Sequence, residues 1–386
     1  MKVKEFYVQD RRAIAVTSMV GMGDTIYLGL TGGSYSLAKF HIPTETMSLC
    51  CETFPHLGEK QYCTKIHNSM GKLDDRYLVI GEGNHFSWDG LPVYSAYLKK
   101  ELPEIMLQRK REQGYPDITY SDFCLDRLDD WDRTRDDKGG KIMIYDTHTD
   151  TVAEVCDMPQ FCYSQAMTVD PKRGFAYGNT IPDNHFFSVD VKNNKLTDFG
   201  RISEYGHHNM AVAPNGMCYG GWVDYYNHCL RLLKFDPNEN RLYHTDKLIL
   251  KDIGAKIAGN QGIDQWLVTK DGEMYMGAVA NSLIFRFDWE NEEFDLLGQA
   301  GTGGRVSTMD EDDNGIIWLG AGHPTMHLVR FDKNATGKDR FIDYGEVNNS
   351  NYRCYFHASY YYKNKLYLGE TDGFTPSLHV IDLEDL

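Results

Sequence analysis

The chain has 386 residues, 41% of them hydrophobic, 25% charged and 13% aromatic, with 36 glycines and 12 prolines, a composition that excludes a disordered, collagen-like or low-complexity protein. Its 56 acidic and 40 basic side chains leave a formal charge of −16, which disfavours nucleic acid and anionic membranes as general partners. By length alone two or three domains are expected.

The first segment, Met1 to Arg12, is charged throughout and has no apolar run before a small-residue cleavage site, so a cytoplasmic protein is expected. No stretch reaches the ~18 apolar residues of a membrane-spanning helix. The nine cysteines include the adjacent pair Cys50 and Cys51 and no C-x-x-C spacing; they are expected to be reduced.

Further along, a short β-type run ending in glycine recurs seven times, at Gly29, Gly81, Gly178, Gly220, Gly277, Gly320 and Gly369. Most are followed, 11 to 16 residues on, by a second run that ends in Asp: Asp190, Asp236, Asp288, Asp332 and Asp382. Turn signals such as Pro214-Asn215-Gly216 and Asp313-Asn314-Gly315 precede the glycine strands, with residues that tolerate positive φ where hairpins need them. Each unit therefore reads as four antiparallel strands in about 55 residues, which predicts an all-β fold, a seven-bladed β-propeller in one domain over 1–386. The acidic run Asp310 to Asp313 reads as a turn.

Blade two is the exception, since 65 residues separate Gly81 from Asp146. The excess forms an insertion over 91–138, with a helix-like stretch from Tyr97 to Gln113. It leaves the blade on the face where blades connect, so it is either a lid over that face or a decoration of it.

The inner strand of each blade begins about a dozen residues before its glycine. Those positions carry His67, Tyr163, His208, Gln265, Arg305 and His357, and the loops after the glycines carry His85, Asp224, His323, Glu370 and Asp372. A lone histidine at a strand start is ordinarily a hydrogen-bonded structural residue, but three at equivalent blade positions form a constellation. Imidazoles, a phenol and a guanidinium suit proton transfer on a polar anionic substrate. β-Elimination of a 4-linked uronic acid needs that set: a base for C5, an acid for the C4 leaving oxygen, and a cation for the enolate-like intermediate. No phosphate loop, dinucleotide fingerprint, nucleophile elbow or H-E-x-x-H motif is present.

The segment HNSMGKLDDRYLVIGEGNH from His67 to His85, Tyr163 on the next inner strand, and HASYYYKNKLYLGETD from His357 to Asp372 resemble the seven-bladed propeller polysaccharide lyases, of the ulvan lyase and rhamnose–glucuronate lyase type. The resemblance implies proton transfer by His67 and Tyr163 and carboxylate contact by His85. By their place at the strand starts and the loop after the last glycine, His208, Arg305, Gln265, His357 and Glu370 are expected to bind substrate. The family's arginine shortly after the tyrosine is missing, since Arg173 falls in a turn. Its place is left to Arg305 or to a divalent metal (Ca, Mn or Zn) on His208, Gln265 and His357, as in the more distantly similar oligogalacturonate lyases. The substrate implied is a small anionic oligosaccharide. Two rival readings are a metal-dependent sugar lactonase using Glu370, Asp224 and the histidines, and a non-catalytic propeller that binds a partner.

Overall fold

A computed structural model describes residues 1–32, 35–53, 64–84, 102–119, 122, 138–203, 208–251, 262–279, 281–301, 303–322, 325–347, 355–371 and 376–386. The strands form seven antiparallel four-stranded blades, the first six running in chain order from an inner to an outer strand, and the short strand Thr64–Lys65 pairs with both Thr25–Thr31 and Tyr77–Asn84 to join blades 1 and 2. The inner strands are Ala15–Met22, Met70–Lys72, Tyr163–Asp170, Ala211–Val212, Ile263–Val268, Arg305–Glu311 and Phe356–Tyr362. Blade 7 takes its outermost strand from the N-terminus, Val3–Tyr7, which pairs with Ser377–Asp382 from Val3↔Ile381 to Tyr7↔Ser377. The two ends of the chain thus close one circle, and the repeat rather than the length sets the domain count.

The repeated residues have mechanical roles. Asp190, Asp236, Asp288 and Asp332 each accept backbone N–H groups two or three residues on, for example Asn238 N to Asp236 at 2.8 Å and Asn334 N to Asp332 at 3.0 Å. These are side-chain-closed turns between the outer strands. Four of the strand-ending glycines, Gly29, Gly81, Gly277 and Gly369, are sockets for the next blade, whereas Gly178, Gly220 and Gly320 meet atoms of their own blade first. A Cβ at Gly81 would stand 2.6 Å from the Cβ of Ser164 in blade 3, and one at Gly369 would stand 2.6 Å from Cγ1 of Val16 in blade 1. Asp312, in the acidic run, accepts Asn314 N and Ile316 N and takes the indole N–H of Trp318 at 3.0 Å, so the run is a turn.

Five inner strands carry an irregularity near their start, which in three of them comes just after a residue that meets a socket, at Val16, Ser164 and Val306. The register shifts by one at Thr17, Gln165, Asp264, Ser307 and His357. A β-bulge turns a side chain that would lie between blades toward the channel or the neighbouring blade. His67 holds the same place in blade 2, directly after Ile66, which meets Gly29.

Of the insertion at 91–138, one helix, Leu102–Glu112, is described with the residues just after it. The helix lies against the connection from blade 7 to blade 1. Lys110 is buried and donates to the Asp10 carbonyl at 2.7 Å, while Arg11 bonds Asp117 at 3.0 Å and also Asp122. The insertion that leaves blade 2 is therefore fastened two blades away, on the face of the blade connections. The remainder of the expected lid lies outside the described residues.

Candidate functional site

The position marked by the bulge lies one per blade around the channel mouth, and its side chains lace neighbouring blades together. Thr17 Oγ1 donates to the Ile66 carbonyl at 2.8 Å, His67 Nδ1 to the Gln165 carbonyl at 2.7 Å, and Ser307 Oγ to the Phe356 carbonyl at 2.6 Å. Asn68 Nδ2 donates to the His208 carbonyl at 3.0 Å, and Gln265 Nε2 to the Ser307 carbonyl at 3.0 Å. Because a carbonyl only accepts, the bond at His67 places its proton on Nδ1 and makes Nε2 the basic nitrogen.

Three of these positions are histidines, from blades 2, 4 and 7, and their rings meet across the mouth. The centroids of His67, His208 and His357 are 5.5, 5.2 and 5.7 Å apart in the pairs 67–208, 67–357 and 208–357. Behind them lies a buried ionic cluster. Arg305 Nε donates to Asp264 Oδ2 at 2.8 Å and Nη2 to Oδ1, while His208 Nδ1 lies 2.9 Å from that same Oδ1. The Arg305 guanidinium also stacks over Tyr355, with 5.2 Å to the ring centre, and Tyr355 in turn meets His357 at 5.3 Å. A cavity of about 170 Å³ continues below, lined by His357 and by the polar ends of Ser18, Asn68, Asn209, Gln265 and Ser359.

Burial lowers the basicity of His208, and the Arg305 charge adds to the effect against a partial offset from Asp264. His357 is pushed well below the ordinary imidazole value by the same two causes. Burial alone would raise the Asp264 carboxyl, but Arg305 and His208 outweigh it and hold it well below the carboxylate range. Near neutral pH the mouth therefore presents neutral imidazoles, able to accept a proton, beside an ion pair whose charges cancel.

The structure brings together His67, His208 and His357, with Arg305 joined to them through Asp264. Arg305 was expected to meet the substrate carboxylate; its Nε and Nη2 are instead spent on Asp264. Gln265 was expected as a substrate or metal contact, yet its amide is committed to the seam: Nε2 serves Ser307, and Oε1 takes bonds from Asn209 and from Trp266 N. Tyr163 is fully buried, its ring against Gly83 in the seam between blades 2 and 3. Glu370 is 1% exposed. Asp224 is bonded to Arg231 at 2.9 Å and Asn227 at 2.7 Å. His85, His323 and Asp372 lie outside the described residues. Among the described residues no group of three His, Cys, Asp or Glu side chains is placed to hold a metal ion, and no chemical step below passes through one.

Asp264 and Tyr355 complete the cluster and do not stand out in the sequence. A signal for Asp264 exists, since a carboxylate within the otherwise apolar start of IDQWLV has to find a partner.

No family model and no curated protein matches the chain. Solved structures do. Virginiamycin B lyase from Staphylococcus aureus superposes with a TM-score of 0.61 at 9% identity, covering 98% of this chain and 99% of that one. A streptogramin B lyase gives 0.60 at 9%, over 98% and 97%, and YCF48 bound to the D1 peptide gives 0.55 at 10%, over 98% and 96%. At such identities the likeness establishes the seven-bladed propeller, a scaffold that carries a lyase in some of these proteins and peptide binding in another.

Proposed function

We propose that the protein is a lyase that breaks a C–O bond by β-elimination at the channel mouth, on a small uronate-containing oligosaccharide. The observation that carries the reading is the triangle of imidazoles at His67, His208 and His357, backed by Asp264 and Arg305. His67, the expected base, has its Nδ1 on the Gln165 carbonyl, and His208 is held neutral near neutral pH by burial and the Arg305 charge. One of them takes the proton from C5, the electron pair forms the C4=C5 double bond, and the C4–O bond breaks. The imidazolium so formed can return the proton to the departing oxygen, which leaves the site as it began.

The substrate carboxylate needs a positive neighbour while charge builds on it. Lys65, whose charge is felt at both His208 and His357, is the candidate, because Arg305 is neutralised by Asp264. That some structural neighbours are lyases agrees with the reaction class. The sugar assignment rests on the resemblance of the His67–His85 and His357–Asp372 segments.

Elimination creates a conjugated unsaturated uronate, so the direct assay is the growth of its ultraviolet absorbance with a panel of uronate oligosaccharides. Silence across the panel, with and without added divalent metal, would refute the reading. One observation favours a non-catalytic propeller instead: Thr17 and Ser307 hold the same position as the histidines and only tie blades together. In that case replacing the histidines alters stability and nothing else.

A further inference from the structure

We propose that Asp264, clamped by Arg305, is the positioning residue that makes His208, rather than His67, the base of the elimination; this rests on the lyase reading above. Asp264 is 1% exposed, so its charge cannot be met by water and must be met by its two partners. Both partners converge on one oxygen. Oδ1 accepts from Arg305 Nη2, and His208 Nδ1 lies 2.9 Å away from it.

Arg305 Nη2 also lies 2.6 Å from His208 Nδ1, so two proton arrangements compete. In one, Nδ1 is bare and accepts from Arg305, which turns its lone pair toward a carboxylate oxygen. In the other, Nδ1 carries the proton and gives it to Oδ1, beside the Arg305 N–H that does the same. The second pairs both donors with the strongest acceptor present, and charge-assisted bonds of that kind are roughly twice as strong as neutral ones. It therefore prevails, and it leaves Nε2 as the basic nitrogen of His208.

His67 has the same tautomer but a different second partner. Its Nδ1 proton goes to a neutral carbonyl, which gains little when the ring becomes cationic. At His208 the proton goes to a carboxylate, whose attraction for the ring grows as the ring takes up the C5 proton. An interaction stronger in the transition state than before it lowers the barrier. Arg305 keeps Asp264 ionised and fixes the plane of the carboxylate, since two of its nitrogens grip both oxygens. Both residues act through His208 without touching substrate.

The experiment begins with unsubstituted protein labelled with 15N in histidine, the His208 signals being identified from their loss in His208→Asn. At neutral pH a protonated Nδ1 and a bare Nε2 are expected at His208. A bare Nδ1 would overturn the assignment with no substrate involved. Asp264→Asn is then expected to mix or reverse the tautomer and to lower kcat by ~100-fold or more with KM within a few-fold. Unchanged kcat, with the variant folded, also overturns it.

Should Asp264→Asn fold poorly, Arg305→Lys keeps the charge and loses the two-pronged grip; a weaker fall in kcat of the same kind is expected, and none would contradict the role. Absence of turnover by the unsubstituted enzyme sinks the lyase reading alone, because the tautomer still decides the Asp264–His208 contact.

Discussion

Replacing Arg305 with methionine keeps a long apolar stem beside Tyr355 and removes the one full charge that faces Asp264 in the described cluster. The carboxylate is 1% exposed and would lose the bonds from Nε, at 2.8 Å, and Nη2. A buried ion left without its partner costs ~3–5 kcal/mol. The sign with pH follows from the direction of each shift. In the unsubstituted protein Asp264 is held below its unfolded value, so its contribution is complete above that value and is lost only in strong acid. In the variant burial is opposed by His208 alone and raises the carboxyl, so the folded state takes up a proton and the penalty shrinks by about 1.4 kcal/mol for each pH unit below the new value. Denaturant midpoints followed by tryptophan fluorescence at about pH 7 and pH 4.5 should show a wide gap between the two proteins at the first and a narrower one at the second. Adding Asp264→Leu to Arg305→Met should recover part of the loss at pH 7, since the stranded charge goes with it. A gap under about 1 kcal/mol at pH 7, or one independent of pH, would refute the argument from burial.

Two other perturbations follow from the same structure. Glu82 is fully buried at the top of blade 2, accepts from Thr53 at 3.1 Å, and has its carboxyl pushed up to about 7 by burial against bonds from Ser36 and Thr53. Its folded value lies above its unfolded one, so stability is greatest in acid and falls as pH rises toward 7, by at most ~3 kcal/mol. Glu82→Gln should flatten that fall, and denaturation midpoints at about pH 5 and pH 8 that decline equally in both proteins would contradict it. Arg11→Ala should cut the ties to Asp117 and Asp122 and speed amide exchange in helix Leu102–Glu112 several-fold, while exchange in the blade 4 strands stays the same; unaltered helix exchange would mean that Lys110 alone holds the insertion.

How far the sequence reaches depends on whether a feature is periodic. The seven glycines could be counted because each lies in the second strand of its blade, where four of them receive a side chain of the next blade, as Gly81 does Ser164 and Gly369 does Val16, and the turn-closing Asp residues recur for an equally local reason. The site is harder, because it depends on register. The channel-mouth position falls 12 residues before the glycine at His208 and His357, 13 before it at Asp264 and Ser307, and 14 before it at His67. The hairpin between the first two strands varies in length and the bulge adds a residue, so counting back without the register selects Gln265, 12 before its glycine, in place of Asp264, and Arg305, 15 before its own, in place of Ser307. Arg305 is nevertheless part of the site, since its side chain spans the two-residue error to reach Asp264. The insertion is opaque for another reason: its contacts with Asp10 and Arg11 join residues about a hundred positions apart, and no local pattern records them.

The shared position also bears on how a structural ring can become a reactive one. At Thr17, His67 and Ser307 the residue there donates one bond to the neighbouring blade, and at Thr17 and Ser307 a hydroxyl suffices. An imidazole gives the same bond from Nδ1 and keeps a second nitrogen for other work, so exchanging hydroxyl for imidazole adds a base without opening the seam. At His67 the two roles can be separated. His67→Ala removes the bond to the Gln165 carbonyl and leaves that buried acceptor unsatisfied, a loss of ~1–3 kcal/mol. His67→Ser restores a donor of the kind used in blades 1 and 6, so its stability should lie closer to that of the unsubstituted protein. Both variants remove one corner of the imidazole triangle, and turnover is expected to fall at least tenfold in each. Denaturation midpoints and initial rates measured on the same preparations decide the matter: full turnover in His67→Ser would reduce His67 to a latch, whereas equal stability of the Ala and Ser variants would mean that the seam does not depend on this bond.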